Sequence, residues 1–269
     1  MKLALVGAGG RMGLSVLRLA HAAGDVRLVG AADGPSSPLV GRDVGEVAGL
    51  GNFGVAVGAD VGSALLGAEV CIDFSSPRAC AELCRAAARE GVALVSGTTG
   101  FGPAEQRALD EAAKRVPVLW AANMSFGVQV LADLVREAAA RLGLGFDVEV
   151  VETHHRRKAD APSGTALRLV EALGEVRAGL RPVAGREGRP GERQPDELGL
   201  FALRGGDVIG DHTVYFFGDG ERLELTHRAT SRDLFAQGAL RAARFLRGRP
   251  PGRYTLSDAL AAPAGPSLH

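Results

Sequence analysis

KLALVGAGGRMG, residues 2–13, decides how the first half of this chain folds. A short β-branched and aliphatic run stops at glycine, and the chain resumes as RMGLSVLRLAHAAG with apolar residues at helical spacing. That is strand, glycine turn, helix. At such a turn the backbone N–H groups of the helix N-terminus face outward, and glycines let a dinucleotide pyrophosphate approach them. The spacing departs from G-x-G-x-x-G, because Gly7 and Gly9 are followed by Met12, whereas Gly7, Gly10 and Gly13 make G-x-x-G-x-x-G. Asp33 ends a second apolar run about twenty residues further on, where a carboxylate accepts from an adenosine ribose. Gly34 follows it rather than arginine, so NADH is favoured; Arg11, in the glycine turn, leaves NADPH possible.

The rhythm repeats over the first 125 residues. RLVGAAD, FGVAV, EVCIDFSS, VALVSGTTG and VPVLWAAN read as further strands, and PRACAELCRAAAREG and GPAEQRALDEAAKR as helices, with Pro77 and Pro103 suited to first turns. The fold class expected is α/β, a Rossmann-type doubly wound parallel sheet. Ligands of such sheets bind outside the carboxyl ends of the strands, so Gly97, Thr98 and Thr99, and Ala121, Ala122, Asn123 and Met124, are candidate walls for a nicotinamide. Ordinary turns use the same residue types.

After Asn123 the pattern changes. A helix around Gly127 to Leu142 leads into FDVEVVETHH, and GDVIGDHTVYFFG and GERLELTHRAT alternate around a Gly218-Asp219-Gly220 turn. These predict a second, α+β domain with a mostly antiparallel sheet. Residues 184–197 (AGREGRPGERQPDE) read as a mobile surface loop, SRDLFAQGALRAARFLRG as a last helix, and the tail from Arg249 as partly extended.

The 31 basic and 31 acidic side chains cancel, which removes any global attraction to nucleic acid or to an anionic membrane. The start is too short in apolar residues for a signal peptide or a membrane span, and a cytoplasmic location is expected. The three cysteines have no partners at zinc spacing and read as buried thiols; no metal is expected.

ETHHRRKADAPSGT, 152–165, concentrates two histidines, two arginines and a lysine in five positions. His154 and His155 are adjacent, point to opposite faces of a strand and lack a third ligand, which speaks against a metal. Ser163, Gly164 and Thr165 open the helix ALRLVEAL, so their N–H groups and the positive dipole end form an anion cradle. A small dicarboxylate fits: the helix start takes one carboxylate, while His155 and Lys158 neutralise the other. A histidine and a lysine there are also able to move protons.

The whole pattern resembles the 4-hydroxy-tetrahydrodipicolinate reductase (dihydrodipicolinate reductase) family over nearly the full length. GAGGRMG, DFS at 73–75, GTTG at 97–100, AANMS at 121–125, E-x-HHxxK-x-DAPSGTA at 152–166, RGGDVIGDH at 204–212 and THRATSRDLFAQGA at 226–239 follow in the family's order. The resemblance implies reduction of an unsaturated ring dicarboxylate by a nicotinamide cofactor in the diaminopimelate route to lysine. It implies His154 as acid/base, Lys158 as proton donor, and His155, Gly164 and Thr165 as substrate-carboxylate contacts. Cofactor contacts are implied at Gly7, Ala8, Gly9, Gly10, Arg11, Met12 and Asp33, at Gly97, Thr98 and Thr99, and at Ala121 through Met124. It further implies a homotetramer, a dinucleotide-binding domain of residues 1–125 and 235–269, and a substrate-binding and oligomerisation domain of residues 126–234. The rival within enzymes is another two-domain NAD(P)-dependent amino- or keto-acid dehydrogenase; outside them it is a DNA-binding regulator, which zero net charge disfavours.

Overall fold

The computed structural model describes residues 1–261. The chain divides into two units, Met1–Met124 together with the segment that begins at Asp233, and Ser125–Arg232.

The first unit starts as β1 (Lys2–Val6), α1 (Arg11–Ala23) and β2 (Arg27–Ala32), then α2 (Val44–Val47) and β3 (Val57–Gly58). It continues as β4 (Val70–Asp73), α3 (Pro77–Glu90), β5 (Ala93–Ser96), α4 (Pro103–Ala113) and β6 (Pro117–Trp120). Helix starts follow their caps: Ser76 Oγ accepts from Ala79 N with Pro77 in the first turn, and Glu105 reaches back to Gly102 N ahead of Pro103. Of FGVAV only Val57 enters β3, for a physical reason. The carboxylate of Asp43 takes the N–H groups of Phe53 and Val55, both at 2.9 Å, which a strand would have spent on its ladder.

The sheet is parallel throughout, in the order β12-β6-β5-β4-β1-β2-β3, where β12 is Gly252–Tyr254. Leu3, Leu5, Ile72, Leu94 and Leu119 are fully buried, and each contributes about 1.5–3 kcal/mol. The register aligns Ala32, Val6, Asp73, Ser96 and Trp120 as one row across β2, β1, β4, β5 and β6. The glycine turn, Asp33 and the segments after Asp73, Ser96 and Trp120 therefore leave the sheet along one edge. The last long helix, α7 (Asp233–Leu246), packs on α1 and on β4 to β6. The tail is more ordered than its composition suggests: it supplies β12 and α8 (Leu256–Ala261), while the remainder of the expected extended tail lies outside the described residues.

The second unit contains α5 (Phe126–Leu142), β7 (Asp147–His154), α6 (Gly164–Gly174), β8 (Arg181–Val183), β9 (Glu197–Arg204), β10 (Gly210–Gly218) and β11 (Glu221–Ala229). Its sheet, β11-β10-β7-β9-β8, is mixed: β10 is antiparallel to β11 and β7, whereas β9 is parallel to β7 and β8. The helix α6 is the reason, since a helical crossover after β7 returns the chain in the same direction. Strand β7 buries alternate residues, Val148, Val150, Glu152 and His154. The first two join Leu169, Leu198, Val214 and Phe216 in the core. Residues 184–197, expected to be mobile, are tied to that sheet: Arg186 donates twice to Glu149 at 2.9 Å, and Arg193 bonds Glu149 at 3.2 Å.

Candidate active site

In the first unit the turn after β1 is built for close approach. Gly7 has φ of 80° and a Cβ there would overlap the carbonyl of Phe74, so both backbone and space demand glycine. A Cβ at Gly9 would overlap Leu39 and the Asp33 carboxylate, and one at Gly13 would overlap the carbonyls of Gly7 and Ala8. This explains the departed spacing, because Gly13 supplies the tight helix-to-turn contact. The Asp33 carboxylate accepts from Gly9 N at 3.2 Å, Gly34 N at 2.8 Å and Ser37 Oγ at 3.3 Å, which puts an acidic group directly beside the turn. Gly10, the N-cap of α1, makes no side-chain cap, so the first-turn N–H groups are left for a ligand. Arg11 and Gly10 are exposed, Met12 and Gly9 half-buried, and Ala8 buried. Open helix N–H groups and an adjacent carboxylate fit a dinucleotide, which would be held by the turn and Asp33.

The segments after β4 and β5 are fastened by Asp73, which is fully buried. Its carboxylate accepts from Ser96 Oγ at 2.7 Å, Thr98 Oγ1 at 2.8 Å, Ser75 N at 3.1 Å and Ser75 Oγ. Trp120 Nε1 donates to the Thr98 carbonyl at 2.8 Å, tying in the end of β6. The Thr98 hydroxyl is thus committed to the protein, and Met124 is buried; Gly97, Ala121 and Asn123 are half-buried, and Thr99 and Ala122 exposed.

In the second unit the histidine end of β7 meets the start of α6 and the ends of β9 and β10. Glu152, fully buried, bonds His154 Nδ1 at 2.5 Å, accepts from Ser163 N at 3.0 Å, and takes the Arg204 guanidinium on both oxygens at 2.8 and 2.9 Å. Arg204 also reaches the carbonyl of Asp160 at 2.7 Å. Ser163 Oγ caps α6 through Ala166 N and lies 3.1 Å from His212 Nε2. The His212 ring stands edge-on to His154 at 5.1 Å, and its Nδ1 is buried without a hydrogen-bond partner. Burial first, then the neighbouring His154, lowers the His212 pKa to about 4. Desolvation and the nearby Arg232 and Arg157 also push His155 down.

Lys158 Nζ is paired with both oxygens of Asp160, at 2.9 and 2.8 Å, and its backbone closes a turn onto His155. Gly164 is exposed, with open space where a Cβ would stand; Thr165 is half-buried in the same helical turn. The structure therefore gathers His154 and Ser163 into one bonded cluster, to which the Lys158 loop is attached through Asp160 and Arg204. Reading single motifs missed Glu152, Arg204 and His212. A signal for the first existed, since a glutamate two residues before a histidine on a strand shares its face. Arg204 and His212 arrive from distant strands.

A parallel doubly wound unit with an open glycine turn and Asp33, joined to an α+β unit with a polar cluster, defines the class of two-domain nicotinamide-dependent oxidoreductases. The models "Dihydrodipicolinate reductase, N-terminus" and "Dihydrodipicolinate reductase, C-terminus" match residues 1–124 and 127–260. A 4-hydroxy-tetrahydrodipicolinate reductase of Anaeromyxobacter dehalogenans is 51% identical, covering 96% of this chain and 97% of the relative. One from Myxococcus xanthus is 50% identical, over 95% and 96%. Among solved structures, a dipicolinate-bound dihydrodipicolinate reductase from Paenisporosarcina sp. superposes with a TM-score of 0.75 at 23% identity, covering 95% of this chain and 97% of that one. The chain belongs to the dihydrodipicolinate reductase family.

Proposed function

We propose that this chain is a 4-hydroxy-tetrahydrodipicolinate reductase, reducing the unsaturated ring dicarboxylate to tetrahydrodipicolinate with loss of water, in the diaminopimelate route to lysine. The observation that carries this reading is that both halves match the family, with curated relatives of that activity about half identical over nearly the whole length.

The reduced nicotinamide, when bound, supplies the hydride. The chain's own groups do the rest. The turn Gly7 to Met12 and Asp33 hold the dinucleotide, with Gly97 to Thr99 and Ala121 to Met124 beside its nicotinamide end. The first-turn N–H groups of α6 at Gly164 and Thr165 receive one carboxylate, with His155 at the other, while the Ser163 N–H is given to Glu152 and its hydroxyl caps the helix. The open space at Gly164 supports this, since an anion needs room at the helix start. His154 acts as acid/base, and Lys158 Nζ gives a proton to the enamine-like density that hydride addition leaves in the ring. NADH is the preferred donor: Asp33 suits a ribose hydroxyl and would repel a 2′-phosphate, and Gly34 offers no guanidinium. The working form is a cytoplasmic homotetramer assembled through the sheet of the second unit, whose outward Leu203 and Phe217 are exposed. No helix among the described residues is long and apolar enough to cross a membrane.

The test supplies the condensation product of pyruvate and aspartate semialdehyde and follows nicotinamide absorbance with each cofactor. Oxidation of NADH, and more slowly of NADPH, is expected; oxidation of neither would overturn the reading. Lys158→Ala should lower kcat by about 100-fold, in the range of a lost general acid, and leave NADH affinity unchanged.

A further inference from the structure

We infer that Glu152 is a positioning residue for this site: its carboxylate sets the His154 imidazole in the Nδ1–H tautomer and locks the first turn of α6 to the same anchor. The inference rests on the proposed reductase reading only for what His154 then does.

Glu152 is fully buried, and its two oxygens meet four donors. These are His154 Nδ1 at 2.5 Å, Ser163 N at 3.0 Å, and two guanidinium nitrogens of Arg204 at 2.8 and 2.9 Å. Burial works to raise its pKa, but the hydrogen bonds from Arg204, then His154 and the Ser163 N–H, outweigh it and hold the carboxyl below the usual range. An ionised carboxylate only accepts, and arginine only donates. His154 must therefore donate through Nδ1, so the neutral ring presents Nε2 as its acceptor.

The other charged and titratable groups around the anchor leave that assignment standing. Arg204 comes from β9, the Lys158–Asp160 pair is attached through the Asp160 carbonyl, and His212 from β10 turns its Nε2 to Ser163 Oγ instead. On the far side of the His154 ring, Nε2 would stand 3.0 Å from a Cβ at Gly210, so glycine there leaves the imidazole its place. A single carboxylate thus couples the histidine strand to the helix start proposed to take the substrate. A change at Glu152 should disturb proton handling before it disturbs binding. Second-layer carboxylates that orient a histidine commonly act in this way.

Two measurements on the intact protein decide it. Long-range 1H–15N spectra of labelled wild type above pH 8, with the His154 signals assigned by their loss in His154→Gln, should show the Nδ1–H tautomer. An Nε2–H tautomer would overturn the inference without any variant of Glu152 having to fold. In Glu152→Gln the tautomer preference should be lost and kcat should fall about 100-fold. KM for the ring dicarboxylate and Kd for pyridine-2,6-dicarboxylate should stay within about threefold. A variant that keeps the tautomer, or that loses binding as steeply as kcat, would make Glu152 merely structural and sink the positioning role. If wild type itself reduces no substrate, the functional reading fails while the tautomer measurement still judges Glu152.

Discussion

His155 and His212 border the same cluster and respond to protons in different ways. Desolvation and the cations Arg232 and Arg157 depress His155, so the free protein holds it largely neutral near pH 7. A bound dicarboxylate reverses that balance, and binding of pyridine-2,6-dicarboxylate at pH 6.5 should take up protons; calorimetry in buffers of different ionisation enthalpy measures the uptake, and none would remove His155 from the carboxylate site. His212 is a stability group. Its pKa of about 4 in the fold lies below the ordinary 6.5, so the unfolded chain binds the extra proton first. The stability is complete above pH 6.5 and is lost as pH falls through about 4, amounting to about 3 kcal/mol in all and about 2 kcal/mol by pH 5. His212→Asn should therefore show a smaller fall in Tm between pH 7 and 5 than wild type. At Gly210 an added methyl would press on His154 Nε2 from 3.0 Å, and Gly210→Ala should lower kcat several-fold with little change in Tm.

The strand ends of the first unit depend on one carboxylate. Asp73 gathers Ser75, Ser96 and Thr98, so Asp73→Ala leaves the buried hydroxyls of Ser96 and Thr98 without their acceptor. The expected cost is about 3 kcal/mol, a fall in Tm of roughly 8 °C by thermal melting, with weaker nicotinamide binding because the 97–99 segment loses its anchor. The strand β3 and the 184–197 loop show why local pattern misleads. FGVAV has strand composition, yet Asp43 captures two of its N–H groups; the glycine- and proline-rich loop has the composition of disorder, yet Arg186 and Arg193 find Glu149 on β7. Both outcomes depend on side chains ten to forty-four residues away.

Over the full chain, the proposed assembly is checked by light scattering, which should give four times the 27.8 kDa chain mass; a monomer at micromolar concentration would contradict the homotetramer. Cofactor choice is read in the same preparation: Asp33→Ala should weaken NADH more than NADPH, and equal weakening would refute the ribose role of that carboxylate.

The alternation of strands, glycine turns and amphipathic helices in residues 2–120 determined the parallel sheet, because such signals are local and each element carries its own period and caps. Motif order likewise determined the family, and with it the candidate histidines, lysine and helix start. Tertiary structure decided the rest. Only folding brings Arg204 from β9 onto Glu152 and His212 from β10 onto Ser163, commits Thr98 to Asp73, and turns half of the second sheet parallel through α6. Those choices rest on hydrogen bonds and desolvation between residues distant in the chain, which no window of sequence contains.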